Sequence, residues 1–389
     1  MAAFRFPGDQ FRGCTMHVHD NLWALRERWQ AAQRDRGYVY QTWEWNHTWQ
    51  QTIGQAQGVR PYVMELRDAA GRMLALWPMG IYRRGRLRVL DFLGDVVTDY
   101  RAPLYASAFV LDLQPAVFEA LWRAMVRSVP GIDLVSLRRM PQTLEGESRR
   151  ANPMARLAGT RHTENGYAAR LPESMEAFRK RLPTRMVADM RRSARRLEEV
   201  APVRIATHHD ADARAAVFLA LAEQKSRRWR ESGSRDLFAE PGYLDFYRTL
   251  AFGPETRARV SLCSLSAGEE IVATHWGACY RGRHYWILPT YAAGEWSRYS
   301  SGRMLMAAMI ERSIEEGCGI FDLTVGEEAY KRDWTDHTLP LYEWHHARTL
   351  AGRVVLARQR LRAWARNQPG LRRMVQRLRT LARRSTGGR

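Results

Sequence analysis

The sequence predicts an α/β chain of two tandem lobes, each a mixed and mostly antiparallel sheet flanked by helices, followed by a basic helical tail. Three observations predict it. The 389 residues exceed one ordinary core and suit two domains of usual size plus an appendage. A helix, a set of short strands joined by turns, a second helix and an apolar strand occur in that order twice. The net charge of +20 is concentrated at the end: residues 348–389 hold 13 arginines and no acidic residue, leaving +7 for the first 347.

In the first lobe, expected over residues 1–165, Asn21 to Arg36 has helical periodicity and a tryptophan-rich segment follows (Gln41 to Trp49, QTWEWNHTW). Strand-like runs come next at Pro61 to Arg67, Met73 to Tyr82 and Arg86 to Gly94. They are punctuated by turn residues at Asp68 to Arg72 and Arg83 to Gly85. Ala116 to Val129 reads as a helix with Leu121, Met125 and Val129 on one face, and Ile132 to Leu137 as an apolar strand. In the second lobe, expected over 166–347, helical patterns cover Glu173 to Val200, Ala213 to Trp229 and Pro241 to Phe252. Strands follow at Val260 to Leu265, Ile271 to Tyr280 and His284 to Tyr291, then a helix at Met304 to Glu316 and a strand at Ile320 to Val325.

The tail, 348–389, has Leu361 and Trp364 in one helical piece. Leu371, Met374, Val375, Leu378 and Leu381 stand at helical spacing in another, beyond a Pro369-Gly370 break. Such a basic amphipathic pattern suits an anionic membrane surface, an RNA backbone, or packing on the protein body with arginines in water.

With 45% hydrophobic and 26% charged residues the chain is that of a folded protein. No stretch approaches the roughly 18 uncharged apolar residues of a membrane span, and MAAFRFPGDQFRG lacks the apolar segment of a secretory signal. Cys14, Cys263, Cys279 and Cys318 show neither metal-like nor redox-like spacing, so free thiols and a cytoplasmic location are expected.

The chemistry-bearing residues gather between Tyr285 and Trp334. The chain contains only three lysines, Lys180, Lys225 and Lys331. A lysine can give up its proton where an arginine cannot, which makes Lys331, expected in a polar loop after a strand, worth weighing as chemistry. The turn Tyr299 to Met304 (YSSGRM) places Ser300, Ser301 and Gly302 at a helix start, where unpaired N–H groups can seat a phosphate and a serine can cap. Asp322 in IFDLTVG and His275 in IVATHWG are polar groups inside apolar strands, a costly placement unless they are paired or functional. Tyr291 ends the strand that leads to the YSSGRM turn.

The succession strand, YSSG, helix, G-x-x-x-FD-strand, G-x-x-x-YK-x-x-W resembles the C-terminal half of acetyltransferases of the cellulose-biosynthesis (CelD/BcsL) type, members of the GNAT superfamily related to the Fem-type aminoacyltransferases of peptidoglycan synthesis. The resemblance is strong over Val260 to Trp334, moderate over Glu173 to Phe252 and faint before that, where YQTWEW carries it; MVADMRRSARRLE (Met186 to Glu198) also resembles the family. One departure is Ser301 where such proteins often have proline before the glycine.

The resemblance implies two GNAT-like lobes, an acyl-thioester donor (acetyl-CoA or another acyl-CoA) and a small-molecule amine acceptor, with no metal. It implies that the N–H groups of Gly302, Arg303 and Met304, with Ser301 as the cap, hold the donor's diphosphate. Asp322 and His275 would relay the amine's proton, Lys331 would steady the carbonyl oxygen, and Tyr291 would protonate the leaving thiolate.

No P-loop, dinucleotide glycine fingerprint or zinc spacing points to other chemistry. Two alternatives stay open. One is an aminoacyl-tRNA-dependent Fem-like transferase using the arginines at Arg191, Arg192, Arg195 and Arg196. The other is a non-catalytic GNAT-like scaffold docking to a membrane or partner.

Overall fold

A computed structural model describes residues 2–5, 11, 13–106, 114–145, 150–256 and 259–366. Strands β1 (Ala2–Arg5) and β2 (Thr15–His19) precede helices α1 (Arg26–Gln33) and α2 (Trp43–Trp49). Then come β3 (Arg60–Pro61), β4 (Val63–Arg67), β5 (Met73–Trp77), β6 (Met79–Arg84), β7 (Leu87–Phe92) and β8 (Leu104–Tyr105). Helix α3 (Pro115–Ser128), β9 (Leu134–Pro141), the short pair β10 (Thr143–Leu144) and β11 (Arg150–Ala151), and β12 (Arg161–Arg170) complete the first half.

The second half opens with α4 (Met175–Arg179) and α5 (Thr184–Glu198), the single helical run expected there being cut by Pro183, which has no N–H to donate and stands at the start of α5. Strand β13 (Val203–Thr207), helices α6 (Ala211–Glu231) and α7 (Tyr243–Phe252), and strands β14 (Val260–Ala267), β15 (Glu270–Tyr280) and β16 (Arg283–Tyr291) follow. Helix α8 (Ser301–Glu315), β17 (Ile320–Val325), α9 (Tyr330–Trp334), β18 (His337–Ala347) and α10 (Leu350–Arg366) end the described chain. The apolar pattern from Leu371 to Leu381 lies outside the described residues.

Eleven strands form one sheet in the order β13-β14-β15-β16-β17-β12-β18-β9-β7-β6-β3, and five form another in the order β1-β2-β4-β5-β8. Within the large sheet the pairs are antiparallel except two, β16 with β17 and β7 with β9. In each case a helix, α8 or α3, connects the parallel strands, as parallel pairing requires a crossover. The repeated order read from the sequence is therefore a repeated piece of topology.

The halves interlock. Strand β12 pairs with β17, while β18, the last strand, lies between β12 and β9 of the first half. The boundary expected at residue 165 falls inside β12. One apolar core crosses the halves: the Trp45 ring lies 5.0 Å from Phe246 and 6.3 Å from Trp276, so the tryptophan-rich segment is interior packing. A separate core, with Met304, Leu305, Met309 and Ile310 of α8 against Trp286 and Phe321, lies on the other face of the second half's strands. No helix among the described residues is long and apolar enough to cross a membrane.

Candidate active site

The site is made by two strands parting. β16 and β17 pair in parallel over Arg283–Tyr285 and Ile320–Asp322 only. Beyond that point β16 stays with β15 and β17 stays with β12, so a gap widens toward their C-terminal ends. Ligands of α/β sheets bind at such ends. A cavity of about 380 Å³ opens there, lined by Trp286, Thr290 and Tyr291 of β16, Ser300 to Arg303 at the start of α8, Arg228 of α6 and Tyr330 of α9.

Asp322 explains part of the divergence, and corrects its expected role. Its neighbours Phe321 and Leu323 pack into the α8 core, so alternation turns the carboxylate to the opposite face. There Oδ2 accepts from Arg283 Nη1 at 2.7 Å, while Oδ1 accepts from the Tyr100 hydroxyl at 2.8 Å and from the Thr324 N–H at 2.7 Å. Tyr100 reaches it by crossing Gly166, where a Cβ would lie 2.4 Å from the phenolic oxygen. Burial pushes the carboxyl upward, opposed by the Arg283 guanidinium and by the Tyr100 and Thr324 donors. Thr324 is held at φ 58°, a left-handed conformation that is a genuine outlier for a β-branched residue. Asp322 thus fixes the bend at the end of β17. It faces away from the cavity.

His275 also falls outside the cavity. It is wholly buried, stacked 3.7 Å from the Trp286 ring, and neither ring nitrogen has a partner among the described residues. Burial, reinforced by His284, holds its pKa well below the usual imidazole value, so it is a neutral core ring behind the cavity wall.

The helix start keeps its position but not its expected bonding. Ser300, at the cap position, has φ 56° and makes no side-chain cap bond; the Ser301 hydroxyl donates to the Val272 carbonyl at 3.2 Å, tying α8 to β15. The Arg303 and Met304 N–H groups, expected to be free, turn to the Ser300 carbonyl at 2.9 and 3.3 Å. The Ser301 and Gly302 N–H groups are the ones left without an acceptor among the described residues. Ser301, Gly302 and Arg303 line the cavity; Met304 is buried under it.

Tyr291 is at the cavity, its ring covered by the Arg228 guanidinium with 4.0 Å from Cζ to the ring centroid. Lys331 stands on the short helix α9 and not in a loop. It is 3% exposed, with Nζ donating to the Val325 carbonyl at 2.8 Å and 3.1 Å from Glu328 Oε2. Gly326 makes that approach possible, since a Cβ there would lie 2.8 Å from Nζ. Its sequence neighbour Tyr330 lines the cavity, and burial pushes that phenol up to about 12.

Three residues that the sequence reading did not single out belong to this region. The Thr290 hydroxyl is buried in the wall without a partner among the described residues. Arg228 lines the cavity with no carboxylate in ion-pair range among the described residues. Lys225, also on α6, donates to the Pro289 carbonyl at 3.3 Å. Desolvation first, then the charges of Arg228 and Lys331, lower its pKa to about 8. Two of the three lysines thus meet at the parted strands, while Lys180 pairs with Glu176 on the surface. The scarcity that drew notice to Lys331 applied equally to Lys225.

Residues 184–332 match the family model described as acetyltransferase (GNAT) domain. Among solved structures, FemX superposes with a TM-score of 0.57 at 8% identity, covering 84% of this chain and 96% of that one. A conserved protein of unknown function from Bacteroides thetaiotaomicron VPI-5482 gives 0.53 at 13% identity, covering 84% and 98%. A tandem GNAT protein from the clavulanic acid biosynthesis pathway gives 0.46 at 12%, covering 85% and 98%. No curated protein matches in sequence. Residues 184–332 are thus similar to an acetyltransferase (GNAT) domain, and the fold over 84% of the chain is similar to that of FemX.

Proposed function

We propose that the chain is an N-acyltransferase that moves an acetyl or longer acyl group from an acyl-CoA to an amine acceptor. The observation that carries this reading is the parting of β16 and β17 beside the start of α8, within the stretch that matches the GNAT model. The gap would admit an extended thioester arm along β16. The Ser301 and Gly302 N–H groups and Arg228 would face the donor's phosphates.

In the reaction the amine nitrogen attacks the thioester carbonyl, the C–S bond breaks, and the amine's proton and the thiolate must each be dealt with. Alignment of two bound substrates supplies much of the barrier reduction. Lys331, behind Tyr330, would stabilise the negative charge on the carbonyl oxygen by exchanging its bond to the Val325 carbonyl for one to the substrate. Lys225, the amine that can be neutral near pH 8, would take the proton in place of His275 and Asp322. Tyr330, kept protonated, is better set to protonate the thiolate than Tyr291, whose ring is covered by Arg228. The acceptor class that goes with this proposal is an amino sugar or another precursor of a surface polysaccharide.

Calorimetric titration with acetyl-CoA tests the donor; no binding at millimolar concentration would overturn it. Lys331→Met is expected to lower turnover by roughly 10²–10³-fold, the cost of losing one oxyanion-stabilising group, with donor affinity nearly unchanged. Unaltered turnover removes Lys331 from the mechanism.

A second reading, an aminoacyl-tRNA donor, is favoured by the exposed row of Arg191, Arg192, Arg195 and Arg196 on α5. Such binding would fall steeply with salt. Absence of tRNA binding at low salt eliminates it.

A further inference from the structure

Helix α10 is docked on one side and bare on the other. Its start is fastened to the first half: the Arg348 N–H donates to the Asp133 carbonyl at 2.8 Å, the Thr349 hydroxyl to Asp133 Oδ1 at 2.8 Å, and the Gly352 N–H to the Thr349 hydroxyl at 3.2 Å. Gly352 and Leu356, one turn apart, are buried against the body, Leu356 as part of the core that joins the halves. Gly352 is required for this approach, since a Cβ would come within 2.3 Å of the Asp133 carbonyl.

Away from that buried line stand Leu350, Val354, Leu361 and Trp364, which are 76%, 49%, 63% and 56% exposed. At about 100° per residue they fall within an arc of roughly 80°, opposite Gly352 and Leu356. They are not scattered apolar residues on a polar surface but one continuous stripe along a helix ~25 Å long. Arg353 and Arg360 border the stripe on one side and Arg358 and Arg362 on the other, and residues 348–366 contain no acidic side chain.

We propose that this face of α10 docks on an anionic lipid surface, with Leu350, Val354, Leu361 and Trp364 entering the headgroup boundary and the flanking arginines meeting lipid phosphates. The charge distribution selects the occupant. A second copy of the chain would set arginine rows against arginine rows. The chain's own residues 367–389 hold seven more arginines and no acid, so folding them back onto the stripe meets the same repulsion. An RNA backbone would satisfy the arginines and leave four large apolar side chains in water. Negative lipid headgroups over an acyl boundary satisfy both sets. The inference is independent of the acyltransferase reading.

The test is vesicle flotation of the full chain with phosphatidylcholine alone and with phosphatidylcholine plus phosphatidylglycerol. Binding to the anionic vesicles at least tenfold tighter, weakened by salt, is expected. The double variant Leu361→Gln, Trp364→Gln alters only exposed side chains; it should keep the melting temperature and bind at least tenfold more weakly. The quadruple variant Arg353→Gln, Arg358→Gln, Arg360→Gln, Arg362→Gln should lose the preference for anionic lipid. The proposal is overturned if wild type ignores anionic vesicles. It is also overturned if the apolar double variant binds as well as wild type, because charge or residues 367–389 would then suffice. Apolar-dependent dimerisation without lipid binding, or tighter binding to RNA than to vesicles, overturns it as well.

Discussion

Asp322 Oδ2 lies 2.7 Å from Arg283 Nη1 at the last point where β16 and β17 are paired, and the ion pair is closed off from water. Arg283 also holds Glu145 Oε1 at 2.6 Å, so removing Asp322 takes away one of two carboxylate partners and strips the buried Tyr100 hydroxyl of its acceptor. Asp322→Ala is therefore expected to destabilise the fold by about 1–3 kcal/mol in urea unfolding, the cost of buried donors left unsatisfied. The double variant Asp322→Ala, Arg283→Met also takes the guanidinium from Glu145 and should recover at most a small part of the loss. If Asp322→Ala unfolds at the wild-type urea midpoint, the carboxylate does not hold the strand bend.

Arg228 offers its guanidinium to the cavity while its flat face covers Tyr291. Arg228→Gln should weaken donor binding by about 1.5–3 kcal/mol, the worth of a hydrogen bond to an ionised group, and leave binding of phosphate-free pantetheine unchanged. Equal loss for both ligands in calorimetry would mean that the arginine does not read phosphate.

Lys225 has its pKa lowered to about 8, chiefly by desolvation. Its amine is a base only when neutral, so kcat/KM should rise with pH through about 8 and level off above. Lys225→Arg cannot titrate in this range, and the variant should be slower with that limb absent from its pH profile. A limb at the same pH in the variant assigns it to another group.

Glu65 is buried in the second sheet, with His19 Nε2 at 2.8 Å and Arg67 Nη2 at 2.7 Å. Burial alone would raise its pKa, but the bonds from His19 and Arg67 and the charge of Arg28 win, lowering it to about 2 from 4.5. A carboxyl depressed on folding contributes stability that is complete above about 4.5 and lost as pH falls through about 2. The contribution is on the order of 3 kcal/mol. Glu65→Gln should flatten the acid limb of stability against pH in that window; an unchanged limb would show that other groups carry it.

The longer helices and about half of the strands were legible because each repeats its apolar residues at its own period, as α3 and β14 to β17 show, whereas the short helices α2 and α9 were not. Strands β1, β2, β8, β10, β11 and β13 were not, nor were β12 and β18, which join the halves. β12 begins RHTEN and contains Gly166, a composition that reads as a loop, and is made a strand by partners on both sides. β18 carries Pro340, and a bulge between Tyr342 and Trp344 breaks its alternation. Of the expected site residues, Ser301, Gly302, Arg303 and Tyr291 come together at one cavity, with Lys331 behind its Tyr330 wall. Asp322 and His275 do not join them, because a polar residue in an apolar strand marks a special position without saying which face it serves or whether a partner waits there.

What the sequence determined by itself was local: where helices and strands form, the repeated α/β order, the arginine-rich end, and a helix start beside a lysine. These depend on residues within a few turns of one another. The tertiary structure alone decided that β12 and β18 interlock the halves, that Asp322 meets Arg283 and Tyr100, and that Lys225 and Arg228 of α6 arrive at the parted strands. Those contacts join residues tens to hundreds of positions apart, and chain spacing carries no record of which distant side chains packing will bring face to face.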